Sequence, residues 1–465
     1  MQVKKIYWSI AAIGLSVASG AQAADAERIA QLEKQLQILQ EQINGLKSTS
    51  PTRSEVQELR QEVATQKKDS VVAGSLPGSF RLPGSDTSIR LYGAAELNMV
   101  HEAKGDNGAN DYATFAPFIP LNGSPDAARK GQTYLHARTS RLGVEALTTT
   151  AYGPLKFKVE GDFNNDPRNG DASNSGSVAT IMTQRNTNSY DFRLRHAYFE
   201  MGSWLVGQTW STFMDGANAP ETVDFNGPVG NTFIRQAQIR YTHSTKNYGD
   251  FIVAVENADS YVLDSQGMVT ADGFAKVPDL IVRWDKNFSW GGVSLRALSD
   301  EFRINGALGN QSRRGSGFAA SGSFRPTGSD TLSWMLTGGT GIGRYLNVIH
   351  GAAYNPGADR IEMERAAGVV LGYQHRFSDS LRANLVYGAQ RTYDNAYTET
   401  AMANGFGGGR YGVNRSVSQI HVGAIWNPVK LVDVGLEYIY GQRETLIGEK
   451  GESSRLNLML RYNLN

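Results

Sequence analysis

Six arginines stand at spacings that a β-sheet could gather into one surface. Arg138 and Arg141, Arg193 and Arg195, and Arg235 and Arg240 fall in three segments with strand-like alternation. Alternate residues of a strand share a face, so Arg193 and Arg195 project together. The segments are separated by hairpins, so the three pairs can converge on one wall. A guanidinium is planar, permanently charged and able to hold a carboxylate through two parallel bonds. Such a wall recognises anions. The segment Phe213 to Asn231 instead carries Asp215, Glu221 and Asp224. A basic wall facing an acidic loop makes a transverse field that orients a dipolar or anionic solute in a narrow aqueous passage. Beyond Leu76 the chain has 28 Arg and 9 Lys against 37 carboxylates, so it is neutral but its cations are mostly the rigid kind.

The elements that would position these residues are two-faced. In Leu155-Lys156-Phe157-Lys158-Val159-Glu160-Gly161-Asp162-Phe163 the apolar and charged residues alternate without a break. Ser140-Arg141-Leu142-Gly143-Val144-Glu145 precedes it across a short turn. Between residues 88 and 464 sixteen segments repeat this period of two. Their connections alternate: 101–131, 164–189 and 213–231 are long, whereas 148–153, Gly202 and 245–248 are short. A membrane β-barrel has short turns on one side and long loops on the other, whereas a soluble sandwich has no reason to keep that rhythm. The apolar face therefore meets lipid and the charged face a water-filled lumen. The final segment, Arg455 to Asn465, puts Leu456, Leu458, Leu460, Tyr462 and Leu464 on the lipid row and Arg455, Asn457, Arg461 and Asn463 in the lumen. Aromatic residues at strand ends, including Trp284, Phe288, Trp290, Phe377, Trp426 and Tyr438, suit the interfacial girdles of such a barrel.

Composition bounds the rest. There is no cysteine, which excludes a disulfide scaffold, a thiolate metal site and a lipobox anchor. Net charge is +1 and mean hydropathy −0.37, so nothing points to nucleic acid and no run of apolar residues makes a helical span. Lys4, Lys5, the apolar run Ile6 to Ala18 and Ala21-Gln22-Ala23 read as a cleavable signal peptide, residues 1–23. Ile29, Leu32, Leu36, Leu39, Ile43 and Leu46 then recur at alternating intervals of three and four, a coiled-coil seam. A single such helix cannot bury its seam, which implies an oligomer. Gly, Pro and Ser dominate the stretch after it. The expected organisation is a signal peptide (1–23), a periplasmic coiled coil (24–69), a linker (70–87) and a 16-stranded antiparallel barrel (88–465) with a constriction loop at 213–231. An even strand number puts both barrel ends, and so the coil, on the periplasmic side. The fold class is all-β transmembrane: an outer-membrane barrel carrying an N-terminal α-helical coil.

Several runs resemble a known family. Ser140 to Glu145 is similar to the first conserved strand of general trimeric porins, and Leu155 to Glu160 to its partner. Arg193-Leu194-Arg195-His196-Ala197-Tyr198, Trp204 to Thr209 and Pro220 to Phe225 resemble the next porin strand, the hairpin after it and the inward-folded loop. With the N-terminal coil and the run Gly207 to Phe213, the chain most resembles the DcaP-like porins. That resemblance implies a homotrimer that takes up small dicarboxylates and related aromatic acids. It implies that Arg141, Arg195 and Arg235 form the eyelet and that Glu221 and Asp224, more than Asp215, face them. Lys156 and Lys158 would flank that eyelet and draw anions toward it.

Two other readings compete. In one, the barrel is an anchor and the coil tethers it to peptidoglycan. In the other, a rim hydrolase recruits His101, His136 or His350, but no motif supplies their partners. The seven histidines have no ligand-like spacing, and Gly338 to Gly343 lacks the lysine and helix of a phosphate loop. No metal, cofactor or catalytic residue is expected. The partners are small anionic solutes, outer-membrane lipid and further copies of the chain.

Overall fold

The computed structural model describes residues 33–41, 57–58, 72–105, 115–165, 190–346 and 349–464. Sixteen strands build the barrel: β1 (Ser88–Lys104), β2 in two parts (Gln132–His136 and Arg141–Thr150), β3 (Gly153–Asn165), β4 (Asp191–Met201), β5 (Trp204–Trp210), β6 (Arg235–Thr245), β7 (Gly249–Glu256), β8 (Asp279–Phe288), β9 (Gly291–Gly306), β10 (Gly309–Phe324), β11 (Asp330–Thr340), β12 (Arg365–Arg376), β13 (Leu381–Tyr393), β14 (Asn414–Trp426), β15 (Val432–Thr445) and β16 (Lys450–Leu464). Each pairs antiparallel with the next, and β16 pairs with β1 from Leu464↔Gly93 to Ser454↔Lys104, so the sheet closes. No edge is left, which satisfies every strand's backbone groups internally, as hydrocarbon demands.

Burial is inside-out. Along β16, Leu456, Leu460, Tyr462 and Leu464 are 38–52 % exposed, while Arg455 and Asn457 are 2–3 % exposed. The same alternation recurs around the ring, with Leu142, Phe157, Val253, Leu280, Leu371 and Val422 outward. At the short-turn rim Trp204 packs on Tyr241 (4.9 Å), and Phe288 stacks on Trp290 (4.8 Å) beside Phe324. The closing seam is held from within: Arg455 pairs with Glu102, and Arg461 Nε with Glu96 at 2.5 Å.

Three details depart from the sequence reading. The connection between β9 and β10 is not a long loop: those strands pair as far as Gly306↔Gly309, and β15 and β16 pair to Glu444↔Lys450. Polar residues beyond the lipid still complete a ladder, so alternation of hydropathy does not mark the strand end. The expected linker contains a ribbon, Val72–Ala73 against Phe80–Arg81, that adds to Ser88 and Ile89. Its turn is fastened by Ser75 N–H donating to Ser88 Oγ (2.9 Å). Residues 361–364 leave β12 for a separate outer hairpin, Ala352–Asn355 with Arg360–Met363.

Of the expected coil, residues 33–41 and 57–58 are helical, with Leu36, Ile38 and Leu39 exposed. The rest of the coil and the signal peptide lie outside the described residues.

On the long-loop side, a helix, Ala396–Ala403, is capped by Asn395 and Thr398 in a reciprocal box. Its Tyr397 and Ala401 bury against Leu263, Ala353, Phe406, Val413 and Leu446, which ties four outer connections into one apolar cluster.

Candidate functional site

The loop between β5 and β6, residues 211–234, folds inward and narrows the lumen. Phe213 is fully buried, edge-on to Tyr345 (5.7 Å), in a cluster with Ile281, Leu298 and Ile342. Arg296 donates to the Phe213 carbonyl (2.8 Å) and Arg283 to that of Met214 (2.6 Å). Val223 and Asp224 donate their backbone N–H groups to Glu437 (2.9 and 3.0 Å), and Val229 donates to Gln419 (2.9 Å). Glycines allow this close approach. A Cβ on Gly388 would meet the Val229 carbonyl at 2.2 Å, and one on Gly230 (φ +89°) the Ala389 carbonyl at 2.4 Å. The loop therefore lies flat on the inner wall of β8–β15.

The opposite wall, β1–β6, carries the interlaced charges. Arg90 and Lys158 share Glu145; Lys158, Arg141 and Arg195 share Glu160; Arg195 and Arg193 share Asp162. Five cations thus divide three carboxylates, which leaves two positive charges in the ladder. Arg193 grips Asp162 bidentately (3.0 and 2.9 Å), and Arg195 bridges Glu160 (2.6 Å) and Asp162 (2.9 Å) while 4 % exposed. The Tyr92 hydroxyl donates to Glu160 (2.8 Å). Arg141 is looser, 3.8 Å from Glu160 and about one-third exposed. Arg235 stacks on Trp210 (4.1 Å) and has no carboxylate within 4 Å among the described residues; its Nε is buried without a partner. Stacking covers one face of the guanidinium, and with Nε buried the terminal amino groups are the donors left to a ligand.

The other expected residues disperse. Arg138, in the break of β2, is buried against Tyr190 (4.3 Å). Lys156 pairs with Glu200 (3.5 Å). Lys156 lies six residues before Asp162 on β3, and Arg240 five beyond Arg235 on β6. At about 3.3 Å per residue each stands about 16–20 Å away along its strand, toward the short-turn rim. Those two line a vestibule below the narrow level.

Glu221, expected to face the basic wall, turns instead to the loop's own wall, and Asp215, the acid expected least to face the arginines, is held there too. Glu221 is held bidentately by Arg382 of β13 (2.6 and 2.7 Å). Asp215 is fully buried, accepting from Ser321 (2.5 Å) and Asn218 (2.7 Å) and lying 3.4 Å from Arg283. Asp224 is buried, its Oδ1 accepting from Asn226 N–H (3.0 Å). Glu221 and Asp215 staple the loop to its own wall. What reaches the basic wall is Phe225, whose ring lies 5.7 Å from the Arg193 guanidinium carbon and 5.8 Å from that of Arg195. Arg283, Arg296, Arg382, Glu437, Trp210 and Phe225 were missed in the sequence. The inward phase of the first four on alternating strands was the available signal.

A closed sixteen-strand barrel, apolar outside, charged inside and narrowed by an inward loop, is an outer-membrane channel of the porin class. The DcaP outer membrane protein family model matches residues 15–464, and the protein belongs to that family. Its fold is similar to the outer membrane channel DcaP of Acinetobacter baumannii, with a TM-score of 0.67 and 24% identity over 84% of this chain and 100% of that one. It is also similar to OmpF of Salmonella typhi in a complex with daunomycin, with a TM-score of 0.50 and 13% identity over 81% and 98% of the two chains. No curated protein matches the sequence.

Proposed function

We propose that the protein is a diffusion channel selective for small anions, with dicarboxylates and related aromatic acids as its substrates. The observation that carries this is the surplus of guanidinium on the β1–β6 wall, above all Arg235, which has no carboxylate within 4 Å among the described residues. A carboxylate passing the narrows meets Arg235 and Arg141, while Arg193 and Arg195 are held in place by Asp162 and Glu160. Phe225 and Trp210 offer rings beside those donors, which suits an aromatic acid. Binding stays weak because the charges are shared and wetted, which transport requires. The reading includes a homotrimer, with residues 24–69 as a periplasmic coil; the exposed Leu36 and Leu39 are the surface such a coil would bury. An added tether to peptidoglycan through that coil is compatible with it.

The test is the reversal potential of the full-length channel in a planar bilayer under a salt gradient, with and without succinate. Wild type is expected to prefer anions and to show succinate-dependent block, with Arg235→Ala and Arg141→Ala each reducing both. Cation preference in the wild type, or unchanged selectivity in Arg235→Ala, overturns the reading.

A further inference from the structure

The outward face of the barrel carries a cation that a lipid-facing position does not explain. Arg391 belongs to the outer row of β13 with Tyr387, Ala389 and Tyr393, and it is exposed. Among the described residues it has no carboxylate within 4 Å and no hydrogen bond; its contact is the Tyr393 ring, 5.9 Å from its guanidinium carbon. Arg365, paired with Tyr393 in the β12–β13 register, approaches the same ring at 5.8 Å and donates to the Asp394 carbonyl (2.9 Å). The Asp394 carboxylate is taken by Arg415. Two guanidiniums thus flank one phenol ring with no acid between them.

Their height is set by the strand. Arg391 lies ten residues above Leu381, at the foot of β13 near Phe377. That is about 33 Å along the strand, or about 25 Å along the barrel axis at a tilt of about 40°, the height of a barrel's apolar band. Arg391 therefore stands at the interface on the long-loop side, where headgroup phosphates lie. Beside it opens a groove of ≈ 940 Å³ across β9–β14. Its sides are Phe318, Leu336 and Tyr387, and its floor is small: Gly338, Ala367 and Ala389. A second hollow of ≈ 490 Å³ shares Gly338, Ala367 and Tyr393 and reaches Arg365. A Cβ on Gly338 would sit 3.4 Å from that of Ala367, an ordinary contact, so the low floor comes from small side chains rather than from a backbone requirement.

We propose that this groove binds a phosphorylated, multiply acylated lipid of the outer leaflet. Its phosphate would sit between Arg365 and Arg391 and its acyl chains on the floor of Gly338, Ala367 and Ala389. An unpaired guanidinium at the edge of hydrocarbon is costly and is relieved by an anionic headgroup. Lipid tails exchange against other tails without hydrophobic gain, so the charge pair supplies affinity and the groove supplies shape. The site lies outside the lumen and is independent of the solute reading.

The experiment titrates the delipidated full-length protein with bisphosphorylated lipid A, with its dephosphorylated counterpart and with a zwitterionic phospholipid. Native mass spectrometry reads both bound lipid and subunit number. Wild type, the double variant Arg365→Gln/Arg391→Gln and the groove-filling Gly338→Leu are compared, each checked for folding by heat-modifiable electrophoretic mobility. Bisphosphorylated lipid is expected to bind wild type about tenfold more tightly than the dephosphorylated form, and each variant is expected to lose about tenfold. Equal binding by the double variant, or no preference for phosphate, overturns the proposal. So does a fall in subunit number with unchanged lipid per subunit, which would make this face a contact between copies of the chain.

Discussion

Arg195 and Arg235 approach the same indole, that of Trp210, at 5.9 and 4.1 Å, yet their tasks differ. Arg195 is buried between two carboxylates and organises the ladder; Arg235 has none within 4 Å among the described residues, and in the proposed channel it is the one that meets the solute. Arg195→Ala would take one buried donor each from Glu160, which keeps Arg141, Lys158 and Tyr92, and from Asp162, which keeps Arg193, a loss of roughly 1–3 kcal/mol. The expected outcome is a lower temperature for the heat-induced mobility shift on electrophoresis, with Arg235→Ala unfolding as wild type does. Equal stability of the two variants would contradict the division of labour. The ladder was half legible in the sequence. Glu160 and Asp162 stand in the same alternating row as Lys156 and Lys158, so their shared face could be read. The partners of the loop acids could not: Arg382 is 161 residues from Glu221, and only closure of the sheet brings them together.

At the scale of elements, the constriction is a strip of chain fitted to a wall with room cut for it. Gly388 and Gly230 supply that room, and Phe213 pins one end. Gly388→Val would drive a side chain into the Val229 carbonyl, so the loop must lift from β13. Single-channel conductance is expected to change, with the noise of a less firmly seated loop, while the barrel still folds; an unaltered conductance trace would show that the fit at Gly388 does not hold the loop. Strand number and loop position were legible because lipid enforces a strict period of two. The upper ends of β9, β10, β15 and β16 were not, because the ladder there outlasts the lipid and Arg303, Ser312, Arg443 and Gly451 pair with no hydropathy signal. A long outer loop and a protruding ribbon look alike in composition.

At the scale of the molecule, four outer connections pack on one apolar cluster, and a buried histidine beside it gives that packing an expected dependence on pH. His350 Nδ1 lies 3.3 Å from the Tyr397 hydroxyl. Burial holds its imidazole below the ordinary histidine value, an effect Glu364 only partly offsets. Opened loops would protonate His350 near its ordinary value of about 6.5, the packed loops only at lower pH. Packing is therefore at full strength above that value and weakens as pH falls through it. Hydrogen exchange of the Ala396–Ala403 amides, corrected for intrinsic rates, is expected to accelerate in wild type between about pH 7.5 and about pH 5.5. In His350→Asn the acceleration should vanish; if it persists, another group is responsible. If the proposed trimer is held by its barrels, removing residues 24–69 is expected to leave trimers on native gels; monomers would mean that the N-terminal segment, not the barrel, drives assembly.

The seam between β1 and β16 has a consequence for how the chain is made. Glu102 pairs with Arg455 across 353 residues and Glu96 with Arg461 across 365. No subset of the strands can complete the ring, so closure waits for the last segment to be synthesised. Contacts this distant in sequence are slow to form. Until they do, the nascent sheet has two open edges, each a template for pairing with a stranger. A chain that lost its final sixteen residues would forfeit all of β16 and hold that vulnerable state permanently, which makes this short truncation at the C-terminus more damaging than a far longer one at the start.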